Sequence, residues 1–241
     1  MGATMTVGTV SAAEVARFDA LAANWWDPNG PMRPLHEMNP SRIGWIMERI
    51  VRHFADHAGL SVLDIGCGAG LAAEALARRG FDVLGVDAAG AAIEAARAHA
   101  EGADLRLTYR EGLAEDLLAE GSRFQVITAL ELIEHVPDVD RLLHVLQRLL
   151  EPGGLLFLST LNRTARSFLT AKIGAEYLLR LLPVGTHDWR QFMTPMELAA
   201  ALRAVGLRAT DTAGLSPALG TGGWRIGRDL RVNYIACATR T

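Results

Sequence analysis

With 241 residues the chain has room for one α/β domain, spanning 1–241, and falls short of two domains of ordinary size. Its 24 Lys and Arg stand against 27 Asp and Glu, a formal net charge of −3, so no global basic field points to nucleic acid as a partner. Two cysteines, Cys67 and Cys237, make no disulfide framework, and Met1 to Thr6 lack the basic and apolar regions of a secretory signal, so a reducing cytoplasmic location is expected.

In chain order, the stretch from about Ser11 to Leu60 reads as a helical cap. Phe18, Leu21 and Ala22 share one face before a break at Trp26-Asp27-Pro28. A second helix is predicted from Asn39 as N-cap and Pro40 as first helical residue, with Ile43, Trp45, Ile46, Ile50, Val51 and Phe54 as its apolar stripe. Arg42, on the polar side of that helix, admits two readings: it reaches a carboxylate in the central cleft, or it forms a surface salt bridge.

Next comes an apolar strand running into a glycine turn, Val62-Leu63-Asp64-Ile65-Gly66-Cys67-Gly68-Ala69-Gly70, and an alanine-rich helix from Leu71 to Arg79. Glycines at alternate positions let the backbone bend sharply and bring main-chain N–H groups against a ligand at a helix N-terminus. The following strand, Asp82 to Asp87, ends in a carboxylate suited to accept hydrogen bonds from both ribose hydroxyls. A dinucleotide fingerprint requires a third glycine where this chain has Leu71, and no basic residue lies in the turn to hold a pyrophosphate. The pattern G-x-G-x-G with Gly66, Gly68 and Asp87 therefore favours S-adenosylmethionine over NAD.

Beyond Asp87 the pattern alternates: helix Ala91 to Ala100, strand Leu105 to Tyr109, a short helix near Glu115, strand Phe124 to Ala129, helix Val139 to Leu150. This implies a parallel sheet with helices on both faces. Glu111-Gly112-Leu113-Ala114 closes the third strand, where Leu113 would touch an adenine ring, although a plain turn has the same composition. Glu151-Pro152-Gly153-Gly154 reads as a break before the strand Leu155 to Ser159. A helical insertion is expected over about 162–190, interleaving Phe168, Ile173, Tyr177 and Leu181 with Arg166, Lys172 and Arg180, a composition shared by interfacial helices and by core-packed lids. His187-Asp188-Trp189 either lines an aromatic substrate or locks the insertion down. Thr194-Pro195-Met196-Glu197 opens a helix with a capping box, and strands at Arg208 to Thr212 and Val232 to Thr239, with no crossover helix between them, form an antiparallel pair.

The richest chemistry lies in Leu130-Glu131-Leu132-Ile133-Glu134-His135-Val136-Pro137, where the fourth strand ends and where ligands of open parallel sheets collect. Glu131, Glu134 and His135 offer carboxylates and an imidazole for a general base or for a divalent metal. The plainer alternative makes Glu134 a helix cap and His135 a buried hydrogen-bonding group.

Phe18 to Asp27 with its Trp25-Trp26 pair, Pro34-Leu35-His36, Asn39-Pro40-Ser41-Arg42, the Glu131 to Pro137 cluster, Ser159 to Arg163, Gly174 to Tyr177 and Gly185 to Asp188 together resemble the ubiquinone-biosynthesis O-methyltransferase family over roughly residues 14–239. The resemblance implies a Rossmann-like class I methyltransferase fold, a mostly parallel sheet of about seven strands with the last antiparallel. It implies methyl transfer from S-adenosylmethionine to a phenolic hydroxyl of a polyprenylated catechol or hydroquinol. By matching motif, Gly66, Asp87, Leu130 and Arg42 would contact the cofactor, Asp87 through the ribose and Arg42 through the methionyl carboxylate. A divalent ion such as Mg²⁺ would sit at Glu131, Glu134 and His135, with Glu131 and His135 acting in catalysis. The insertion would contact the inner face of the cytoplasmic membrane, where a ubiquinone-biosynthesis complex is a further expected partner. The run Ser216 to Arg231 carries no family signature and leaves the substrate wall open. A C-methyltransferase on a related quinone, or a cofactor-binding protein without turnover, would share much of this pattern.

Overall fold

A computed structural model describes residues 6, 7, 9–164, 167, 191–218 and 223–240. A two-stranded antiparallel ribbon, β1 (Thr6–Val7) and β2 (Val10–Ser11), precedes helix α1 (Ala12–Leu21), a 3-10 turn at Ala22–Asn24 and helix α2 (Arg33–His53). The alternating unit follows as β3 (Ser61–Ile65), α3 (Leu71–Ala77), β4 (Asp82–Asp87), α4 (Gly90–Ala100), β5 (Leu107–Glu111), α5 (Ala114–Ala119), β6 (Phe124–Leu130), α6 (Val139–Leu149) and β7 (Leu150–Leu161). Helix α7 (Pro195–Ala204) and strands β8 (Leu207–Pro217), β9 (Trp224–Gly227) and β10 (Asn233–Arg240) complete it.

The main sheet has eight strands in the order β5-β4-β3-β6-β7-β10-β8-β9. The first five in that order run parallel; β10 lies antiparallel between β7 and β8, and β9 is antiparallel to β8. From β3 the chain winds outward to β5, then returns to place β6 on the other side of β3, which makes a switch point between β3 and β6. Side chains alternate across the strands, so each strand feeds two cores. Val62, Val83 and Phe157 pack with Ile43, Ile46 and Ile50 of α2, whereas Leu63, Ile127 and Leu156 pack with Leu143 and Leu146 of α6 and Leu202 of α7.

Four expectations change. Helix α2 starts at Arg33, with Pro34 in its first turn, so Pro40 is internal and Asn39 is no cap: the Asn39 amide donates to the Leu71 carbonyl at 2.8 Å instead. The third strand is shifted two residues onward, where Val83 pairs with Leu107. Strand β7 begins at Leu150 and takes in Glu151 to Gly154, because a register shift in β6 between Phe124 and Val126 absorbs the irregular backbone. Strand β9 falls in the run that had no assignment and makes the sheet one strand wider than expected. The predicted capping box holds, with Glu197 N donating to Thr194 Oγ1 and Thr194 N to Glu197 Oε2. Most of the insertion, including Lys172, Arg180 and His187-Asp188-Trp189, lies outside the described residues.

Candidate active site

The glycine turn leaves β3 at the switch point, and Gly66, Gly68 and Gly70 all have positive φ (69°, 52° and 89°). The turn is stitched to β4: Gly66 N and Cys67 N donate to the Val86 carbonyl, and Gly68 N donates to Asp87 Oδ2 at 2.8 Å. Ala89 N donates to the other carboxylate oxygen at 2.8 Å. Burial pushes the Asp87 pKa up while these two N–H groups hold it down, and burial prevails. A carboxylate accepts about four hydrogen bonds, so capacity remains for ribose hydroxyls. A Cβ on Gly68 would fall inside the Trp25 ring, and one on Gly70 inside Tyr109, so glycine is required by packing as well as by backbone angle.

Above the turn lies a cavity of roughly 730 Å³. Gly66, Gly68, Asp87, Leu113, Leu130, Glu131, Glu134 and His135 all line it. Its remaining wall is largely apolar: Phe18, Leu21 and Trp25 from the N-terminal cap, Leu35 and Met38 from α2, and Leu215, Pro217 and Trp224 from β8 and β9. The unassigned run therefore supplies one wall.

Glu131 is a non-glycine residue in the left-handed region, with φ of 53°. Such backbone persists only where surroundings over-determine it. Here Glu131 N donates to the Ser159 carbonyl at 3.0 Å, Ser159 Oγ donates to Oε1 at 2.6 Å and Asn233 Nδ2 donates to Oε2 at 2.9 Å. Glu134 is buried, and Thr160 Oγ1 donates to its Oε2 at 2.8 Å. Loss of water, then repulsion from Glu131, raises the Glu134 pKa to about 7. His135 sits on a 3-10 turn, Ile133–His135, with Nδ1 2.7 Å from Glu14 Oε2 and the Phe18 ring edge-on at 5.3 Å. Burial opposes its protonation, but the Glu14 hydrogen bond and the charges of Glu134 and Glu14 outweigh it, and its pKa lies above the usual value.

In this arrangement the three residues of the metal expectation do not converge on one point. Among the described residues no three His, Cys, Asp or Glu side chains are placed to hold an ion. Glu131, Glu134 and His135 turn toward three different sets of partners, whereas a Mg²⁺ site needs oxygens converging at about 2.0–2.1 Å. The left-handed Glu131 precedes the 3-10 turn that carries His135.

Arg42 is neither a surface ion pair nor part of the cavity lining. Its side chain is 4% exposed, beneath the cluster, with Nη1 3.9 Å from Glu131 Oε1 and Nη2 donating to Asn39 Oδ1 at 3.3 Å. Burial lowers its pKa against the charges of Glu131, Asp64 and Glu134. Asp64, buried on the same side, accepts from Thr128 Oγ1 at 2.6 Å, and burial pushes its pKa up to about 6. Glu14 and Asn233, which hold His135 and Glu131, were not singled out in the sequence, and Ser159 was seen only within the Ser159 to Arg163 motif. Glu14 left a local signal, an acid one helical turn before Phe18 on the cap.

The profile of the family described as "Methyltransferase domain" matches residues 18–212. A ubiquinone biosynthesis O-methyltransferase from Azorhizobium caulinodans is 48% identical over 94% of this chain and 92% of its own, and one from Cereibacter sphaeroides is 46% identical over 96% and 97%. In fold, a magnesium protoporphyrin IX methyltransferase from Synechocystis PCC 6803, solved with bound SAM, aligns over 100% of both chains with a TM-score of 0.68 at 15% identity. With the ordered strands, glycine turn and terminal acid already in place, these likenesses close the question of kinship: the chain belongs to the ubiquinone biosynthesis O-methyltransferase family.

Proposed function

We propose that the protein transfers the methyl group of S-adenosylmethionine to a phenolic hydroxyl of a prenylated catechol or hydroquinol intermediate of ubiquinone synthesis. The observation that carries this is the convergence, on one cavity, of the Gly68–Asp87 turn with Glu131 and His135. The residues fit the cofactor: Gly66 and Gly68 of the turn line the cavity, Asp87 retains acceptor capacity, and the buried Trp25 N–H has no hydrogen-bond partner among the described residues.

Bound S-adenosylmethionine supplies an electrophilic methyl on a sulfonium, itself a good leaving group. The chain has to supply a nucleophile, because a phenol with a pKa near 10 is mostly protonated at neutral pH. His135 takes the phenolic proton as the oxygen–methyl bond forms and the sulfur–methyl bond breaks, and Glu14 steadies the imidazolium. General base action of this kind contributes about 10²–10⁴-fold. Glu131, locked by Ser159 and Asn233, keeps one fixed orientation on the cavity wall. The apolar wall receives the substrate's hydrocarbon and excludes water. The interleaved apolar and basic residues of 163–184 dock the enzyme on the lipid that holds its substrate.

The test is transfer of labelled methyl to a short-chain prenyl catechol, run with and without EDTA. Label on oxygen is expected; transfer that EDTA abolishes would add a divalent ion held by Glu131, Glu134 and His135, and transfer that resists EDTA would leave the base mechanism. Label on ring carbon would instead mark a C-methyltransferase, and cofactor binding without transfer to any prenyl catechol would defeat the reading.

A further inference from the structure

The N-terminal cap does not merely cover the cavity; it is fastened to the glycine turn itself. Trp26 Nε1 donates to the Ala69 carbonyl at 2.9 Å, inside the turn. The Trp26 ring lies flat on His99 of α4, centroids 3.4 Å apart and planes within 1°. His99 is held in turn, its Nδ1 2.7 Å from Oε2 of Glu74, a buried carboxylate of α3. A second tie joins α1 to α4, where Ala91 N donates to Asp19 Oδ1 at 2.9 Å.

This clamp fixes the neighbouring residue. Trp25, 5% exposed, lies against the α-carbon of Gly68 and lines the cavity beside Phe18. The benzo edge of its ring, Cζ2 and Cη2, comes nearest the place a Gly68 Cβ would take, with Cε2, the atom bonded to the indole nitrogen, next at 3.1 Å. That N–H is buried and has no hydrogen-bond partner among the described residues. A buried donor left unpaired is costly and rare, and one beside a cofactor turn is accounted for by a ligand acceptor.

We propose that Trp25 is a cofactor-contacting residue, walling S-adenosylmethionine beside the glycine turn and donating its indole N–H to it, and that Trp26 is the positioning residue that clamps Trp25 there. The proposal rests on the methyltransferase reading above. It assigns the cap, and not only the sheet, a share of cofactor affinity and residence time.

The test measures S-adenosylhomocysteine affinity by calorimetry and its release by chase of labelled ligand, on the full chain and on Trp25→Phe, Trp26→Phe and Trp26→Ala. Trp25→Phe keeps an aromatic wall but deletes the donor, and affinity should fall about tenfold. Trp26→Ala should speed release about tenfold or more, with Trp26→Phe, which keeps a stacking ring but loses the bond to Ala69, lying between. A residue of purely structural importance would lower the melting temperature without moving the release rate of the folded protein. Affinity and release within about twofold of wild type in both Trp25→Phe and Trp26→Ala would overturn the proposal. Should Trp26→Ala fail to fold, Trp25→Phe decides alone. A wild-type protein that binds no S-adenosylhomocysteine would sink the underlying methyltransferase reading instead.

Discussion

His135 and Asp64 show how differently two buried titratable groups serve the same site. His135 lines the cavity and is oriented by Glu14, so His135→Ala should lower turnover at least about tenfold while leaving S-adenosylmethionine affinity near wild type. Undiminished turnover in that variant would remove the imidazole from the mechanism. Asp64 instead sits beneath the site, where burial raises its pKa from an ordinary 3.8 to about 6. The native state therefore holds this proton more tightly than the unfolded chain does, and stability falls as pH rises through that window. Asp64→Asn does not titrate, so its urea-unfolding stability relative to wild type should improve from about pH 4 to about pH 6 and level off above. A gap independent of pH would show that Asp64 is not held neutral by the fold. Both residues could be seen in the sequence, but their partners could not. Glu14 and Thr128 come from distant segments, and only the assembled sheet and cap bring them into contact.

Elements were legible wherever their signal was local. The β3-turn-α3-β4 unit and the Thr194–Glu197 capping box depend on residues a few positions apart, and both form as expected. Helix α2 is the instructive failure. Asn39-Pro40 has the form of a helix start, yet Pro34 provides that start and the chain runs straight through Pro40, because Met38, Ile43, Ile46 and Ile50 must all reach one core. Tertiary burial overrides a local stop signal at the expense of one helical hydrogen bond. Pro40 is exposed, so replacing it sacrifices little packing. Pro40→Ala should therefore stabilise the protein, by about 1–3 kcal/mol in urea unfolding. A neutral or destabilising result would fit a helix that begins at Pro40 and would count against the longer α2. Strand β9 escaped notice for a different reason: four residues with alternate burial are too short a pattern to separate from a loop.

For the molecule as a whole, sheet order does what no single element can. Inserting β10 between β7 and β8 sets Asn233 opposite Leu161, next to the end of β6, and so completes the hydrogen bonds around Glu131. The same order places the β8–β9 wall across the cavity from the glycine turn, leaving an apolar chamber that suits a lipid-soluble substrate. Such a substrate resides in a bilayer, while among the described residues no helix is long and apolar enough to cross one. On the proposed function the chain meets that membrane from its surface. Its net charge of −3 works against approach to an anionic leaflet, so any attraction has to be local. The sequence of 163–184 carries the needed pairing of apolar and basic residues, Lys172 and Arg180 among them. Each basic residue near an anionic surface contributes about 1 kcal/mol, so reversing both charges, Lys172→Glu with Arg180→Glu, should reduce co-sedimentation with phosphatidylserine-containing vesicles at least about tenfold. Wild-type binding should also weaken with added salt as the charges are screened. Equal sedimentation of the two proteins at low salt would leave the segment without a membrane role, and the lipophilic substrate would have to reach the cavity by another route.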